Sequence, residues 1–236
     1  MTGLAAEARV AAGADIRVVT GGGDCARLKA KLERAVEDSV SAIFSFGIAG
    51  GLAPGVQPGT PLVARGIIAN GDEYFECHRG WSHRLAKVLG DVPIVDMAGI
   101  DLPVADPHSK RALHVATRAV AADMESHVAA RVAAAHNLPF AAFRVVADPA
   151  ERRLPPAALV GIRHDGEIAL GRVIGSLLSE PSQIPHVLRT ALDTKAAFDA
   201  LFRGREMVAG GFGFLDFSEL VLDVPREDVI GGSLPV

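Results

Sequence analysis

Two carboxylates stand out by their placement. Glu125 lies in Asp123-Met124-Glu125-Ser126, and Asp148 closes Phe143-Arg144-Val145-Val146-Ala147-Asp148. Between them, Met124–His136 is rich in alanine and sets Val128 and Val132 four apart, which predicts a helix. Asn137-Leu138-Pro139 breaks it, Phe140–Ala147 suits a buried strand, and Val120–Asp123 reads as the end of another. If those strands run parallel, as a helical crossover requires, both acids reach the sheet edge where open α/β sheets bind ligands. Two acids in one crevice can divide the work, one donating a proton while the other accepts hydrogen bonds as an anion. Each also has a plain structural reading. Asp148 before Pro149 could cap a following helix, Glu125 could be a first-turn acid favoured by the helix dipole, and Met124 could be core.

The elements that must position this pair alternate. Asp15–Thr20 reads as a short strand closed by Gly21-Gly22-Gly23-Asp24, and Arg27–Val36 as a helix with Leu28 and Leu32 on one face. Ala42–Phe46 leads into Gly47-Ile48-Ala49-Gly50-Gly51. Pro61–Ala69 is a strand, Trp81–Leu89 a helix and Val92–Met97 a strand; beyond Asp148, Pro155–Val160, Glu167–Leu178 and Ile184–Phe202 read as helices. Met1–Leu4 leaves almost no room for a strand before the helix entry at Ala5–Ala12, so either the fold begins with a helix or its first strand is cut short.

Composition bounds the class. A chain of 236 residues, 49% hydrophobic, can bury one large core, so a single domain over 1–236 is expected, with 207–236 an apolar extension. That extension holds Phe212, Phe214 and Phe217, and reads either as a segment packed on the core or a partner subunit, or as a surface for a lipid-like substrate or membrane. A net charge of −4 gives no reason to expect nucleic acid as a partner. Cys25 and Cys77 are too few for a disulfide framework and lack metal-site spacing, so a reducing cytoplasm is the expected compartment. The histidines, including His78 and His83, form no paired pattern on a helix face, and no metal is predicted.

Glycine after a strand lets backbone N–H groups approach a ligand, and both Gly21–Gly23 and Ser45–Gly51 occupy such positions; neither has Walker or dinucleotide-binding spacing. Ser45-Phe46-Gly47-Ile48-Ala49-Gly50-Gly51-Leu52, Asp123-Met124-Glu125 and Arg144-Val145-Val146-Ala147-Asp148 together resemble three segments of the nucleoside phosphorylase and nucleosidase superfamily, in the family's order. The Phe-rich tail and the Gly21–Asp24 loop resemble most the branch associated with hopanoid biosynthesis.

The resemblance implies an α/β, three-layer phosphorylase/hydrolase-like fold, its central mixed, mostly parallel sheet flanked by helices. It implies cleavage of the N-glycosidic bond of a purine nucleoside with a 5′-modified ribose, without a cofactor. Asp148 matches the acid that protonates the leaving base, Glu125 the acceptor of the ribose hydroxyls and Met124 the residue against the sugar; Ser45 and Gly47 line the same cavity by position. Ala147 departs from the hydroxyl residue usual before the acid, and no aromatic between Pro103 and Ala119 matches a base-stacking residue. The acceptor stays open. Gly21, Gly22 and Gly23 could hold phosphate, whereas Glu7 matches the base that activates water in nucleosidases. The glycine loop tips the sequence reading towards phosphorolysis, with inorganic phosphate as co-substrate and adenosylhopane as the hopanoid-branch substrate. Hydrolysis of a methylthioadenosine or S-adenosylhomocysteine type of nucleoside is the alternative, and a non-catalytic nucleoside-binding module a second. A homo-oligomer, and contact with the inner membrane through 207–222, follow from the same resemblance.

Overall fold

The computed structural model describes residues 1–70, 72–159, 169–208 and 210–214. Six strands carry the site: β1 (Ile43–Gly51), β2 (Pro61–Ala69), β3 (Glu73–Glu76), β4 (Ile94–Gly99), β5 (Ala121–Asp123) and β6 (Phe140–Asp148). Their order is β3-β2-β4-β5-β1-β6, and β6 pairs back onto β2, so five strands close a ring with β3 hanging from β2. The pairs β1–β6, β2–β4 and β4–β5 are parallel, whereas β1–β5, β2–β3 and β2–β6 are antiparallel.

Side chains alternate across this sheet with the period of two that a pleat imposes. On β1 and β6, Phe44, Phe46, Phe143 and Val145 enter one apolar core, while Ile43, Phe140, Ala142 and Val146 enter the other. Helices cover the faces: α1 (Ala5–Ala11), α2 (Cys25–Glu37), α3 (Arg79–Val88), α4 (Pro107–Thr117), α5 (Ser126–Ala135), α6 (Pro156–Leu159), α7 (Leu170–Ser179) and α8 (Ile184–Met207). Leu28 and Leu32 of α2 and Val128 and Val132 of α5 share one core, which bears out the spacing that predicted both helices.

Four features depart from the sequence expectations. Asp15–Thr20 is not a strand; its one sheet-type pairing is the bridge from Thr20 to Thr2. The strands flanking α5 are neither adjacent nor parallel, since β1 lies between β5 and β6, antiparallel to the first and parallel to the second. Helix α4 and strand β3 have no counterpart among the sequence expectations. Asp106-Pro107, with Asp106 accepting the Ser109 N–H at 3.0 Å, is a helix-start signal of known type. Finally, α8 runs on to Met207 instead of stopping at Phe202.

The opening residues stand where a first strand would. The Met1 amine donates to the Phe44 carbonyl at 2.6 Å, and the Phe46 N–H donates to the Met1 carbonyl at 2.9 Å. On the other side, the Thr2 N–H donates to Val19 and the Gly21 N–H to Thr2. Burial, then the charge of Arg144, push the Met1 amine down to about 5. A cavity of about 660 Å³ lies alongside, between Ile16–Val19 and β1 and against Trp81 and Phe212.

Of the predicted apolar extension 207–236, the part beyond Phe214 lies outside the described residues. Phe212 is buried, 4.5 Å from the Phe44 ring, and its carbonyl accepts the Trp81 indole N–H at 2.9 Å. Phe214 packs on Trp81 at 4.9 Å. Each such aromatic pair adds about 0.5–1.5 kcal/mol beyond area burial, so these two phenylalanines act as core.

Candidate active site

The two acids do meet, by a route other than a parallel crossover. Gly50 near the end of β1 pairs with Ala122 on one side and with Asp148 on the other. The end of β1 therefore gathers the segment after β5 and the end of β6 around one cavity of about 190 Å³. Glu7, Asp123, Met124, Glu125, Lys110 and Asp148 line it. This volume is below the roughly 300–1,000 Å³ of drug-sized ligand sites, so part of a larger substrate must extend over the rim.

Asp123 and Arg144 set the frame. The Arg144 guanidinium is buried and donates from Nη2 to Ser45 Oγ at 2.6 Å, Ser126 Oγ at 2.9 Å and Asp123 Oδ1 at 3.2 Å. Asp123 Oδ1 also accepts the backbone N–H groups of Glu125 and Ser126, at 2.9 and 2.6 Å, which fixes the start of α5. Burial alone would raise the Asp123 carboxyl, but Arg144 and these donors hold it below the usual carboxylate range. Glu125 points onward from this fixed turn. A methyl group on Gly3 would come within 2.8 Å of its carboxylate, so the chain passes hard against it. Burial, followed by the charges of Asp123 and Glu7, pushes Glu125 up to about 8.

Glu7 reaches the cavity from the first turn of α1. Its Oε2 accepts from the N–H groups of Gly3 and Leu4, both at 2.8 Å, and its Oε1 from the Ile48 N–H at 2.7 Å. A carboxylate offers about four lone-pair positions; the described residues fill three of them. Burial raises its pKa, opposed first by Arg144.

Asp148 is held by a residue that the sequence reading missed. Lys110, on α4 and fully buried, donates to Asp148 Oδ2, to the Pro149 carbonyl at 2.9 Å and to the Arg152 carbonyl at 3.1 Å. Three acceptors match the three hydrogens of an ammonium. Burial raises the Asp148 pKa, and Lys110 opposes that shift. Asp148 is no helix cap, because a turn from Pro149 to Arg152 follows it and α6 starts only at Pro156.

The remaining predicted residues fare unevenly. Met124 lines the cavity, and its Cε lies 3.7 Å from where Gly23 would carry a Cβ. Ser45 does not line it; its hydroxyl is spent on Ser126 and Arg144 behind the cavity wall. Gly47 is likewise covered, because Glu7 Oε1 lies 2.4 Å from where its Cβ would stand, and only glycine leaves room for that carboxylate. Gly21 lies against Glu125 and Gly23 against Met124, but the Gly21 and Gly22 N–H groups already donate to the carbonyls of Thr2 and Gly3. Lys110 could have been suspected from its helix-start signal, but its partner lies 38 residues away.

Fold and site thus define an α/β protein with a small acidic ligand cavity where strand ends meet. A family model described as the phosphorylase superfamily matches residues 18–167, more than half of the chain. The chain belongs to that superfamily, whose nucleoside-cleaving enzymes break N-glycosidic bonds. No curated protein matches. Among solved structures, a 5′-methylthioadenosine/S-adenosylhomocysteine nucleosidase from S. pneumoniae is 17% identical, with a TM-score of 0.52 over 80% of this chain and 78% of that one. A Helicobacter pylori enzyme of the same name is 16% identical, with a TM-score of 0.50 over 68% of this chain and 76% of that one. Against the H. pylori enzyme holding 5′-methylthioadenosine, at 16% identity and a TM-score of 0.48, the match takes in 53% of this chain and spans 64% of that one. The first two of these likenesses show a shared fold.

Proposed function

We propose that this protein hydrolyses the N-glycosidic bond of a purine nucleoside bearing an apolar 5′ substituent. The observation that carries the reading is that Glu7, Glu125 and Asp148 share one cavity, each with its pKa raised chiefly by burial. In this reading the bond from the sugar to the base breaks with its electron pair going to the base. Asp148 gives its proton to the base, so that the base leaves neutral. The Glu125 carboxyl hydrogen-bonds the ribose hydroxyls and, in its ionised form above its pKa of about 8, favours the positive charge that develops on the sugar. A water hydrogen-bonded to the Glu7 carboxylate would bond to the sugar carbon and pass its proton to that carboxylate.

Water is preferred to phosphate as the acceptor for a physical reason. A phosphate site wants free N–H donors and free cations. Two of the glycine-loop N–H groups are taken, and Lys110, the one cation lining the cavity among the described residues, has its hydrogens committed to three acceptors. For the 5′ substituent, Leu4, Pro103, Val104 and Leu154 offer an apolar wall, and Leu102 is exposed beside it. Adenosylhopane, the substrate of the branch that the sequence resembles, is the bulkiest candidate, and it would bring the protein to a membrane surface. No helix among the described residues is long and apolar enough to cross one. A homo-oligomer belongs to the same reading, and the exposed Leu188 and Leu192 of α8 support it.

The test is adenine release from adenosine, methylthioadenosine and adenosylhopane, each with and without phosphate. Release that is unchanged by phosphate and faster with the apolar 5′ groups is expected. Strict phosphate dependence would replace water by phosphate, and tight binding without release would make the protein a nucleoside-binding module.

A further inference from the structure

A second cluster stands beside the cavity, built from the ends of three elements. Cys25 opens α2 directly after the glycine loop, Asp101 follows β4, and His127 lies in the first turn of α5, two residues after Glu125. Cys25 Sγ is 3.3 Å from Asp101 Oδ1 and 3.8 Å from His127 Nε2, and His127 Nε2 is 2.9 Å from Asp101 Oδ1. His127 is buried, while the Asp101 side chain is 66% exposed and open to an arriving ion.

Two geometric facts separate this triangle from a nucleophilic relay. In a relay the acid and the nucleophile sit on opposite ring nitrogens of the histidine. Here both face Nε2, and Nδ1 is buried without a partner. The three donor atoms therefore converge on one point. A tetrahedral Zn²⁺ has bonds of about 2.3 Å to sulfur and about 2.0–2.2 Å to nitrogen and oxygen, which sets its donors roughly 3.3–3.6 Å apart. The observed separations of 2.9, 3.3 and 3.8 Å bracket that range, so small side-chain shifts suffice.

We propose that Cys25, Asp101 and His127 form a binding site for Zn²⁺ or a similarly soft divalent cation. A thiolate with an imidazole selects such ions over Mg²⁺ and Ca²⁺. The Met124 carbonyl oxygen, 3.7 Å from Cys25 Sγ, is a further oxygen donor beside the site. The ion would tie the glycine loop, the segment after β4 and the start of α5 into one clamp behind Met124 and Glu125. This departs from the sequence expectation of no metal, because Cys25, Asp101 and His127 lie 76 and 26 residues apart along the chain and show no motif. The site does not depend on the substrate reading.

The experiment is titration of chelator-treated full-length protein with Co²⁺, read by thiolate-to-cobalt charge-transfer absorption, and with Zn²⁺ alone, read by calorimetry and by Tm. The expected result is one equivalent bound, a charge-transfer band, and a Tm raised by Zn²⁺. Cys25→Ala should abolish the band while the protein stays folded by circular dichroism, Asp101→Asn should weaken binding at least tenfold, and Cys77→Ala should keep the band. No band, or a band that survives Cys25→Ala, would overturn the proposal and leave the triangle a hydrogen-bonded cluster.

Discussion

Lys110 and Asp148 form a buried pair in which the Lys110 ammonium has no water to fall back on and Asp148 opens only onto the cavity. Removing one partner of such a pair typically costs about 3–5 kcal/mol, while removing both costs far less than the sum. Lys110→Met should therefore lower stability by about that much in urea unfolding, and adding Asp148→Asn should restore part of it. Glu125 carries the pH dependence of this site. Its folded pKa, about 8, exceeds the ordinary 4.5, so the folded state binds its proton more tightly. The sign follows: between those values the folded state holds more protons, and stability falls as pH rises. The Met1 amine runs the other way, since its value falls from 8.0 to about 5 and its contribution grows as pH rises through that window. The difference between wild type and Glu125→Gln isolates the carboxyl. The variant should gain on wild type by a few kcal/mol from about pH 4.5 to 8, and parallel profiles would contradict that assignment. Both acids were legible in the sequence because each sits beside a local break between helix and strand. Lys110 was not, because no local pattern reports a salt bridge across 38 residues.

At the scale of elements, β1 is the organiser. Its glycines let two other pieces of chain approach: Glu7 over Gly47, and the end of β6, whose Asp148 carboxylate lies 3.4 Å from a Cβ on Gly50 and whose Asp148 carbonyl lies 3.1 Å from one on Gly51. Gly47→Ala should push out the Glu7 carboxylate, break its ties to Gly3, Leu4 and Ile48 and separate α1 from β1. A loss of about 1–3 kcal/mol is expected from overpacking, with hydrolysis failing before the fold does; unchanged activity would remove Glu7 from the mechanism. Most helices and the strands β1, β2, β4 and β6 could be read from periodicity, because their apolar faces are continuous. The direction of β5 could not. It is three residues long, and its pairing with Gly50 and Gly51 is a property of the closed ring, which no local run of residues encodes. The shared edge was inferred for the wrong reason, and both acids line the cavity because β1 touches both segments.

Across the whole molecule, an acidic cavity is fed from strand ends and backed by the packed core, with Leu52 and Ala122 on its wall. The sequence reading leaned towards phosphate because the glycine loop looked free; folded, its first two N–H groups are bound to the opening residues. Phosphate should accordingly act at most as a weak competitor, which inhibition kinetics with inorganic phosphate would show. The most direct test of the central claim is base release from a purine nucleoside by wild type and by Asp148→Asn, in phosphate-free buffer and with folding confirmed for both. Wild type should release free base, and the variant should fall by about 10²–10⁴-fold, the span of a general acid. Release at equal rates by the two proteins would contradict the account.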